Sequence, residues 1–217
     1  ARPSGEGPFP AVLVLHEVFG LNADIRSQAD RLAAAGYLAL AIDLYTAGGR
    51  AKCLIATFRT MAAGEGPAVG DVDAGRAWLQ ARPDCTGRVG VIGFCQGGGF
   101  ALLAATRGFD AAAVNYGPLP KNARDALEGA CPIVASYGSR DVAMRGAAGK
   151  LERVLADLGV PRDVKEYAGV GHSFLNQGTL GKLGVFERVL GLSYDAVAAE
   201  DAWARILAFF DVHLRTP

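Results

Sequence analysis

The sequence has no excess of charge of either sign, with 22 Lys and Arg against 22 Asp and Glu in 217 residues. A protein that binds nucleic acid carries a basic surplus, so this balance argues against such a partner. Cysteine is scarce too: there are four, with no C-x-x-C pair and no histidine at a zinc-ligand spacing. The sequence therefore predicts free thiols, no metal, no cofactor and a reducing, cytoplasmic location.

Apolar segments long enough to span a membrane are also lacking. Residues 89–106 carry no charge over 18 positions, a length that raises the question of a membrane span, but they include five glycines and a glutamine. The run is better interpreted as a buried strand, a turn and a helix. Since repeats, low-complexity segments and linkers are absent as well, the sequence predicts a soluble single domain over 1–217 with no membrane partner.

Short apolar runs, typical of strands buried on both faces, alternate with segments of helical period. Strands are predicted at 11–15, 37–42, 88–94, 111–115, 133–137 and 164–167. Helices are predicted at 22–35, 68–82, 97–107, 147–158 and 195–213. This alternation is typical of an α/β fold, a mostly parallel sheet with helices on both faces.

Two stretches, 44–66 and 173–194, show neither period and are predicted to be irregular. Part of the second, 178–194, is a candidate short lid. In parallel sheets ligands bind beyond the carboxyl ends of the strands, so the loops after each strand are where functional residues are expected.

One such loop carries the sequence Gly-Phe-Cys-Gln-Gly at 93–97, between a predicted strand and a predicted helix. This is the cysteine form of the G-x-S-x-G elbow, in which a sharp turn raises the nucleophile above the sheet and small residues let the turn close. The helix N-terminus behind Cys95 favours the thiolate. The alternative is a buried structural cysteine in a glycine-rich turn.

A nucleophilic cysteine needs a base and an acid that orients the base. Of the three histidines, His172 follows the last predicted strand, and Asp141 follows the strand before it. The order nucleophile, acid, histidine is that of α/β-hydrolases. Asp141 could instead cap its turn. His213 is expected on the terminal helix surface, and His16 has no evident orienting acid.

Four motifs share a resemblance to one family. They are His16–Asn22 (HEVFGLN), Asp43–Tyr45 (DLY), Gly93–Gly98 (GFCQGG) and Gly171–Phe174 (GHSF). Together, in this order and over nearly the whole chain, they resemble the dienelactone hydrolase family of α/β-hydrolases. The resemblance implies the α/β-hydrolase fold and a cysteine-dependent hydrolase of small esters or lactones that forms a thioester acyl-enzyme, with no cofactor.

Position by position, the resemblance implies a catalytic triad of Cys95, His172 and Asp141. It also implies that Glu17 contacts the Cys95 thiol and helps to activate it, and that the backbone N–H groups of Val18 and Gln96 form the oxyanion hole. General chemistry agrees on the two donors, which come from the residue after the nucleophile and from a loop after an early strand. The alternative for Glu17 is a solvated loop carboxylate.

The sequence departs from the family pattern at Asn176, four residues after His172, where members that act on the diene lactone carboxylate have arginine. Arg50 and Arg59 are the candidate replacements for that cation. Further candidate substrate-contacting residues are aromatic or apolar: Phe19, Tyr45, Tyr116, Phe174 and Leu175. The missing arginine predicts a preference for substrates without a carboxylate.

Three other functions remain open at the level of sequence. The same residues suit a thioesterase or acyltransferase, a non-catalytic scaffold that binds a small molecule, and a redox sensor in which Cys95 is oxidised with Cys53 as partner. No chemistry is assigned to Cys85 or Cys131. Turnover of a short-chain aryl ester, measured with and without Cys95, separates hydrolysis from binding.

Overall fold

The computed structural model describes residues 1–46, 50–177 and 194–215. Six parallel strands form one sheet with the order β2-β1-β3-β4-β5-β6. The strands are β1 (Phe9–Leu15), β2 (Leu38–Ile42), β3 (Cys85–Phe94), β4 (Ala111–Asn115), β5 (Ile133–Gly138) and β6 (Arg162–Tyr167). The fold class predicted from sequence is confirmed.

Helices connect the strands. They are α1 (Ala23–Ala34), α2 (Arg50–Ala63), α3 (Pro67–Gln80), α4 (Gln96–Ala104), α5 (Ala123–Ala126), α6 (Ala147–Asp157) and α7 (Ala196–Phe210), followed by a π-helical turn, Asp211–Arg215. Two of them begin with side-chain caps: Asn22 accepts a hydrogen bond from the N–H of Ile25, and Asp195 from that of Ala198.

The helices cover both faces of the sheet, which explains why its central strands are apolar throughout. Leu13 of β1 pairs with Val91 of β3, so the neighbouring Gly90 faces the opposite side. A Cβ on Gly75 of α3 would lie 2.9 Å from Leu13, whereas one on Gly90 would lie 2.8 Å from Leu214 in the C-terminal turn. Hence α3 and the C-terminal segment pack on opposite faces.

The chain crosses from β1 to β2 on one side and later returns to place β3 on the other side of β1. This reversal creates a crevice beyond the carboxyl ends of β1 and β3, the place where open α/β sheets bind ligands. The loop that contains Glu17 leaves β1 at that crevice, and Cys95 follows β3 directly.

The prediction that 44–66 is irregular was wrong, because α2 occupies most of it. Its buried positions are Cys53, Thr57 and Thr60, whereas Ile55 and Phe58 are 55% and 44% exposed. The helix has its larger apolar side chains outside and small polar ones inside, so the usual amphipathic pattern is inverted. Periodicity of hydrophobic residues could not reveal such a helix.

Other boundaries differ by a few residues, β3 beginning at Cys85 rather than 88 and β6 at Arg162 rather than 164. The candidate lid lies outside the described residues except for Tyr194, and the single-domain assignment stays a prediction. Across the described residues, every helix is too short or too polar to span a bilayer.

The turn between β3 and α4 yields a test of the glycine pattern. An alanine Cβ at Gly93 would lie 1.9 Å from the Gly97 carbonyl oxygen, a contact that only backbone displacement can relieve. We expect Gly93→Ala to lower the free energy of unfolding by about 3 kcal/mol or more in urea titrations. The control is Gly149→Ala in α6, where the added Cβ meets open space and should raise stability by up to about 1 kcal/mol. Equal urea midpoints for the two variants would contradict the steric argument.

Candidate active site

Cys95 occupies a sharp turn between a buried strand and a helix. Its backbone angles are φ 53° and ψ −116°, and its N–H donates to the Asn115 carbonyl of β4 at 3.0 Å. Among the described residues, only Cys95, Tyr116 and Ser173 combine a side chain with a positive φ. All three lie in loops at the carboxyl edge of the sheet, so the backbone strain is concentrated there.

Glycines make the turn possible by removing side chains where backbones meet. A Cβ on Gly97 would lie 2.3 Å from the Leu15 carbonyl oxygen and 2.7 Å from that of His16. One on Gly98 would lie 2.8 Å from the Gly117 Cα. The first turn of α4 therefore sits directly against the loops after β1 and β4.

His172 and Asp141 meet across two loops, as their order in the sequence suggested. Nδ1 of His172 lies 2.5 Å from Oδ2 of Asp141, whose carboxylate is 3% exposed. The other oxygen, Oδ1, accepts hydrogen bonds from the N–H groups of Ala143 and Met144 at 3.0 and 3.1 Å. Asp141 thus caps its own turn and also binds His172, so the two interpretations of this residue are compatible.

The electrostatic surroundings of His172 favour its protonated form. Burial by itself would lower the pKa of His172, but hydrogen bonds and charge interactions with Asp141 and Cys95 raise it to about 10. An imidazolium between a carboxylate and a thiol is the arrangement that supports a thiolate. The half-buried Cys95 and the largely buried His172 and Asp141 therefore form a connected chain of ionisable groups.

Glu17 is buried beside this chain, which excludes the alternative of a solvated carboxylate. Only 1% of the residue is exposed, and its Oε1 accepts a hydrogen bond from the Ser173 hydroxyl at 3.1 Å. The hydrogen bond that the structure shows for this carboxylate is to Ser173, and the contact with the Cys95 thiol that the family resemblance implied stays a prediction. Ser173, next to His172, is a site residue that the sequence reasoning missed.

Burial raises the pKa of Glu17 to about 7, an effect that the Ser173 hydrogen bond and the charge of His172 only partly offset. The second oxygen, Oε2, and the nearby Asn176 Nδ2 are both buried without a hydrogen-bond partner among the described residues. Asn176 still acts on the Glu17 pKa, lowering it. Glu17 is therefore an incompletely satisfied carboxyl group that titrates near neutrality.

The two predicted oxyanion donors lie on adjoining segments. Gln96 is the first residue of α4, where backbone N–H groups have no partner within the helix. Val18 follows the loop carbonyls that pack on Gly97. The arrangement puts both segments at the crevice beside Cys95, and the role of their N–H groups stays a prediction.

The side chain of Gln96 has a second set of contacts that the sequence did not reveal. Its Oε1 accepts from the Tyr45 hydroxyl at 2.7 Å, and its Nε2 donates to Thr57 Oγ1 of α2 at 2.8 Å. The Tyr45 ring also packs edge-on against His16 at 4.7 Å. This buried network connects α2 and the loop after β2 to the turn that holds Cys95.

The two remaining histidines have structural partners. In His16, Nδ1 lies 2.6 Å from the Glu17 carbonyl oxygen and Nε2 accepts the N–H of Leu44 at 2.9 Å. These two bonds fix the orientation of the ring. His213 lies in the terminal π-helical turn against Phe209. Neither geometry provides a second base for Cys95.

The candidate substrate-contacting residues divide into three groups. Phe174 and Tyr116 are fully buried and pack on each other, while Leu175 and Asn176 are 2% exposed, so these four contribute to the core behind the site. Phe19 is half-buried in the loop after β1, and Arg59 is exposed on α2. The side chain of Arg50 lies outside the described residues. Their roles toward substrate stay predictions.

Metal ligation is not indicated by the described ranges. Within residues 1–46, 50–177 and 194–215, no three His, Cys, Asp or Glu side chains converge as metal ligands would. The cysteines there are all free thiols, Cys53 buried in α2 and Cys85 and Cys131 half-buried.

Comparisons with known proteins agree with this geometry. A family model described as the dienelactone hydrolase family matches residues 1–214. A protein of Escherichia coli strain K12 with the provisional name carboxymethylenebutenolidase is 29% identical, over 97% of this chain and 80% of that protein.

Solved structures are similar in the same way. A dienelactone hydrolase-like promiscuous phosphotriesterase from metagenomic libraries superposes with a TM-score of 0.81 and 28% identity, over 96% of this chain and 88% of that one. A provisionally named dienelactone hydrolase from Klebsiella pneumoniae superposes with a TM-score of 0.77 and 26% identity, over 96% and 90%.

The raised pKa of Glu17 predicts a pH-dependent stability. A carboxyl group with a pKa of 4.5 when unfolded and about 7 when folded binds its proton more tightly in the native state. Its stabilising contribution, about 3 kcal/mol, is complete below pH 4.5 and is lost as pH rises through 7. We therefore expect Glu17→Gln, which cannot ionise, to be more stable than wild type at pH 8 but not at pH 4.5.

Urea titrations at several pH values measure this difference. Glu128→Gln is the matched control, because Glu128 is exposed and the substitution should leave the pH dependence unchanged. A constant stability difference between Glu17→Gln and wild type from pH 4.5 to 8 would show that Glu17 ionises normally in the folded protein.

Proposed function

The chain belongs to the dienelactone hydrolase family and is an ester or lactone hydrolase, and we propose that it acts through nucleophilic attack by Cys95 and a thioester acyl-enzyme. The observation that carries this proposal is the convergence of three groups at one sheet edge. Cys95 stands on a strained turn, His172 interacts with it, and Asp141 binds His172 at 2.5 Å.

In the proposed acylation, the Cys95 thiolate attacks the carbonyl carbon of the ester or lactone. The carbonyl electrons move to oxygen, where the backbone N–H groups of Gln96 and Val18 stabilise the oxyanion. The oxyanion collapses, the carbon–oxygen bond to the alcohol breaks, and His172 gives its proton to the departing oxygen. The raised pKa of His172 keeps the proton on the imidazole until this step.

Deacylation is proposed to use the same groups in reverse order. His172, now neutral, takes a proton from water, and the resulting hydroxide attacks the thioester carbon. The second oxyanion collapses to the carboxylic acid and releases the Cys95 thiolate beside the His172 imidazolium. Asp141 keeps the imidazole oriented through both steps, and no redox partner or cofactor enters the balance.

Glu17 is proposed to tune the thiol through charge. With a pKa of about 7, Glu17 is protonated in part of the molecules near physiological pH, and in those it adds no negative charge beside the thiolate. Once ionised, it would disfavour a second anion in the same buried region. This role does not require the direct contact with Cys95, and the Ser173 hydrogen bond keeps the carboxyl group within range.

The proposed substrates are small esters or lactones without a carboxylate. The family pattern has arginine four residues after His172, and this chain has Asn176 there. The Asn176 side chain is buried and accepts a hydrogen bond from the Tyr116 hydroxyl. A buried amide lacks the paired, charge-assisted hydrogen bonds that arginine gives a carboxylate. Glu17, once ionised, would further disfavour an anion at this side of the site.

The nucleophile is tested by replacing one cysteine at each end of β3. Cys95 follows the carboxyl end of β3, whereas Cys85 begins it at the opposite edge of the sheet. We expect Cys95→Ala to lower kcat/KM for p-nitrophenyl acetate by at least about 1000-fold, and Cys85→Ala to leave it unchanged. Rapid acid quenching of wild type should trap one acetyl group on Cys95, detected by peptide mass spectrometry. Turnover retained by Cys95→Ala would contradict the mechanism, and no turnover of any ester by wild type would favour the binding or redox alternatives.

Substrate charge is tested with two molecules that differ in one group. We expect the methyl ester of a carboxymethylene butenolide to be hydrolysed with a kcat/KM about 30-fold above that of the free acid, because the site lacks a buried cation. Steady-state kinetics at pH 7.5 measure both. An equal or higher value for the free acid, lost in Arg59→Ala, would show instead that α2 supplies the missing cation.

A further inference from the structure

Tyr116, the residue after β4, is held by three alternate residues of the loop that carries His172. Its ring centroid lies 4.9 Å from that of His172 and 5.6 Å from that of Phe174. Its hydroxyl donates to Oδ1 of Asn176 at 3.0 Å. The tyrosine itself is completely buried. One aromatic side chain therefore contacts this loop at three positions between His172 and Asn176.

The backbone of Tyr116 is fixed as firmly as its side chain. Its φ of 42° lies in the left-handed region, which is unfavourable for a residue with a Cβ. Its N–H donates to the Ser136 carbonyl of β5 at 2.8 Å, and the following Gly117 packs directly on Gly98 of α4. Such strain persists only where the surroundings determine the conformation, so the ring has a defined position relative to the nucleophile turn.

The His172 imidazole needs a support of this kind. Its hydrogen bond to Asp141 holds one edge of the ring at Nδ1 but leaves the tilt of the ring plane to packing. The charged or titratable groups that act on or contact the imidazole are Asp141, Cys95, Glu17 and Tyr116. Of these, only Tyr116 offers the imidazole an aromatic surface.

We propose that Tyr116 is a positioning residue for His172, and that Asn176 serves the reaction by holding the Tyr116 hydroxyl. This inference rests on the proposed function, in which His172 exchanges a proton with Cys95. It assigns Asn176 to the support of the base rather than to the substrate. A misplacement of about 1 Å between reacting groups can lower a rate by roughly 100-fold, so a fixed tilt has direct catalytic value.

Two substitutions of Tyr116 distinguish the contribution of its hydroxyl from that of its ring. Tyr116→Phe removes the bond to Asn176 and keeps the ring, whereas Tyr116→Leu removes the surface against His172. The matched control is Tyr37→Phe. Tyr37 is 1% exposed and its hydroxyl donates to Asp211 at 2.5 Å, but it immediately precedes β2, at the end of the sheet opposite the candidate site.

The readouts are kcat and KM for p-nitrophenyl acetate, the pH dependence of Cys95 alkylation by iodoacetamide, and the melting temperature. We expect Tyr116→Phe to lower kcat about threefold to tenfold and Tyr116→Leu roughly 100-fold, with KM within twofold of wild type. The alkylation midpoint should move to higher pH in the same order, because a poorly aligned imidazolium stabilises the thiolate less. Tyr37→Phe should lower the melting temperature without changing kcat or the alkylation profile.

A purely structural tyrosine would give a different result. If both Tyr116 variants lower the melting temperature but keep the wild-type kcat and alkylation profile, the proposal is overturned. A rise in KM with kcat unchanged would also overturn it, by placing Tyr116 at the substrate. Should Tyr116→Leu fail to fold, Tyr116→Phe decides by the same measurements. Failure of the proposed function is a separate observation, since Cys95→Ala would then retain turnover.

Discussion

The close approach of backbone to backbone around the turn that holds Cys95 is the constraint on which the rest of the site depends. Gly97 lies against the carbonyls after β1, and Gly98 lies against Gly117 after β4. These contacts leave no room for a side chain at either glycine, and they hold three loops together at the carboxyl ends of the strands. Because parallel strands end on the same side of the sheet, residues that are far apart in sequence meet there.

Burial shifts the pKa values of the ionisable groups in the site, and the same region lowers the stability of the fold. Desolvation raises the pKa of Glu17, while Asp141 and Cys95 reverse the effect of burial on His172. The incompletely bonded Glu17 and Asn176 side chains, and the left-handed backbone at Cys95, Tyr116 and Ser173, lower stability in the same small region. The apolar sheet, covered on both faces, compensates for these losses.

The candidate catalytic groups are held in place by neighbouring side chains. Gln96 connects the turn of Cys95 to Tyr45 and to Thr57 of α2, and Tyr116 connects the loop of His172 to the end of β4. Both connections join elements on different strands. Two buried side-chain amides, those of Gln96 and Asn176, thus accept hydrogen bonds from tyrosine hydroxyls.

The sequence by itself determined the parallel sheet and most helices, and it singled out Cys95, Asp141 and His172 as candidates, because periodicity, glycine spacing and chain order are properties of the chain alone. Tertiary structure decided the rest. Helix α2 escaped detection because its buried side is polar, and the hydrogen bond between Glu17 and Ser173 could not be foreseen because only folding brings the loops after β1 and β6 together. Asn176 and Phe174 lie in the core rather than on an open surface for the same reason: which side of a loop faces the protein depends on the elements packed around it.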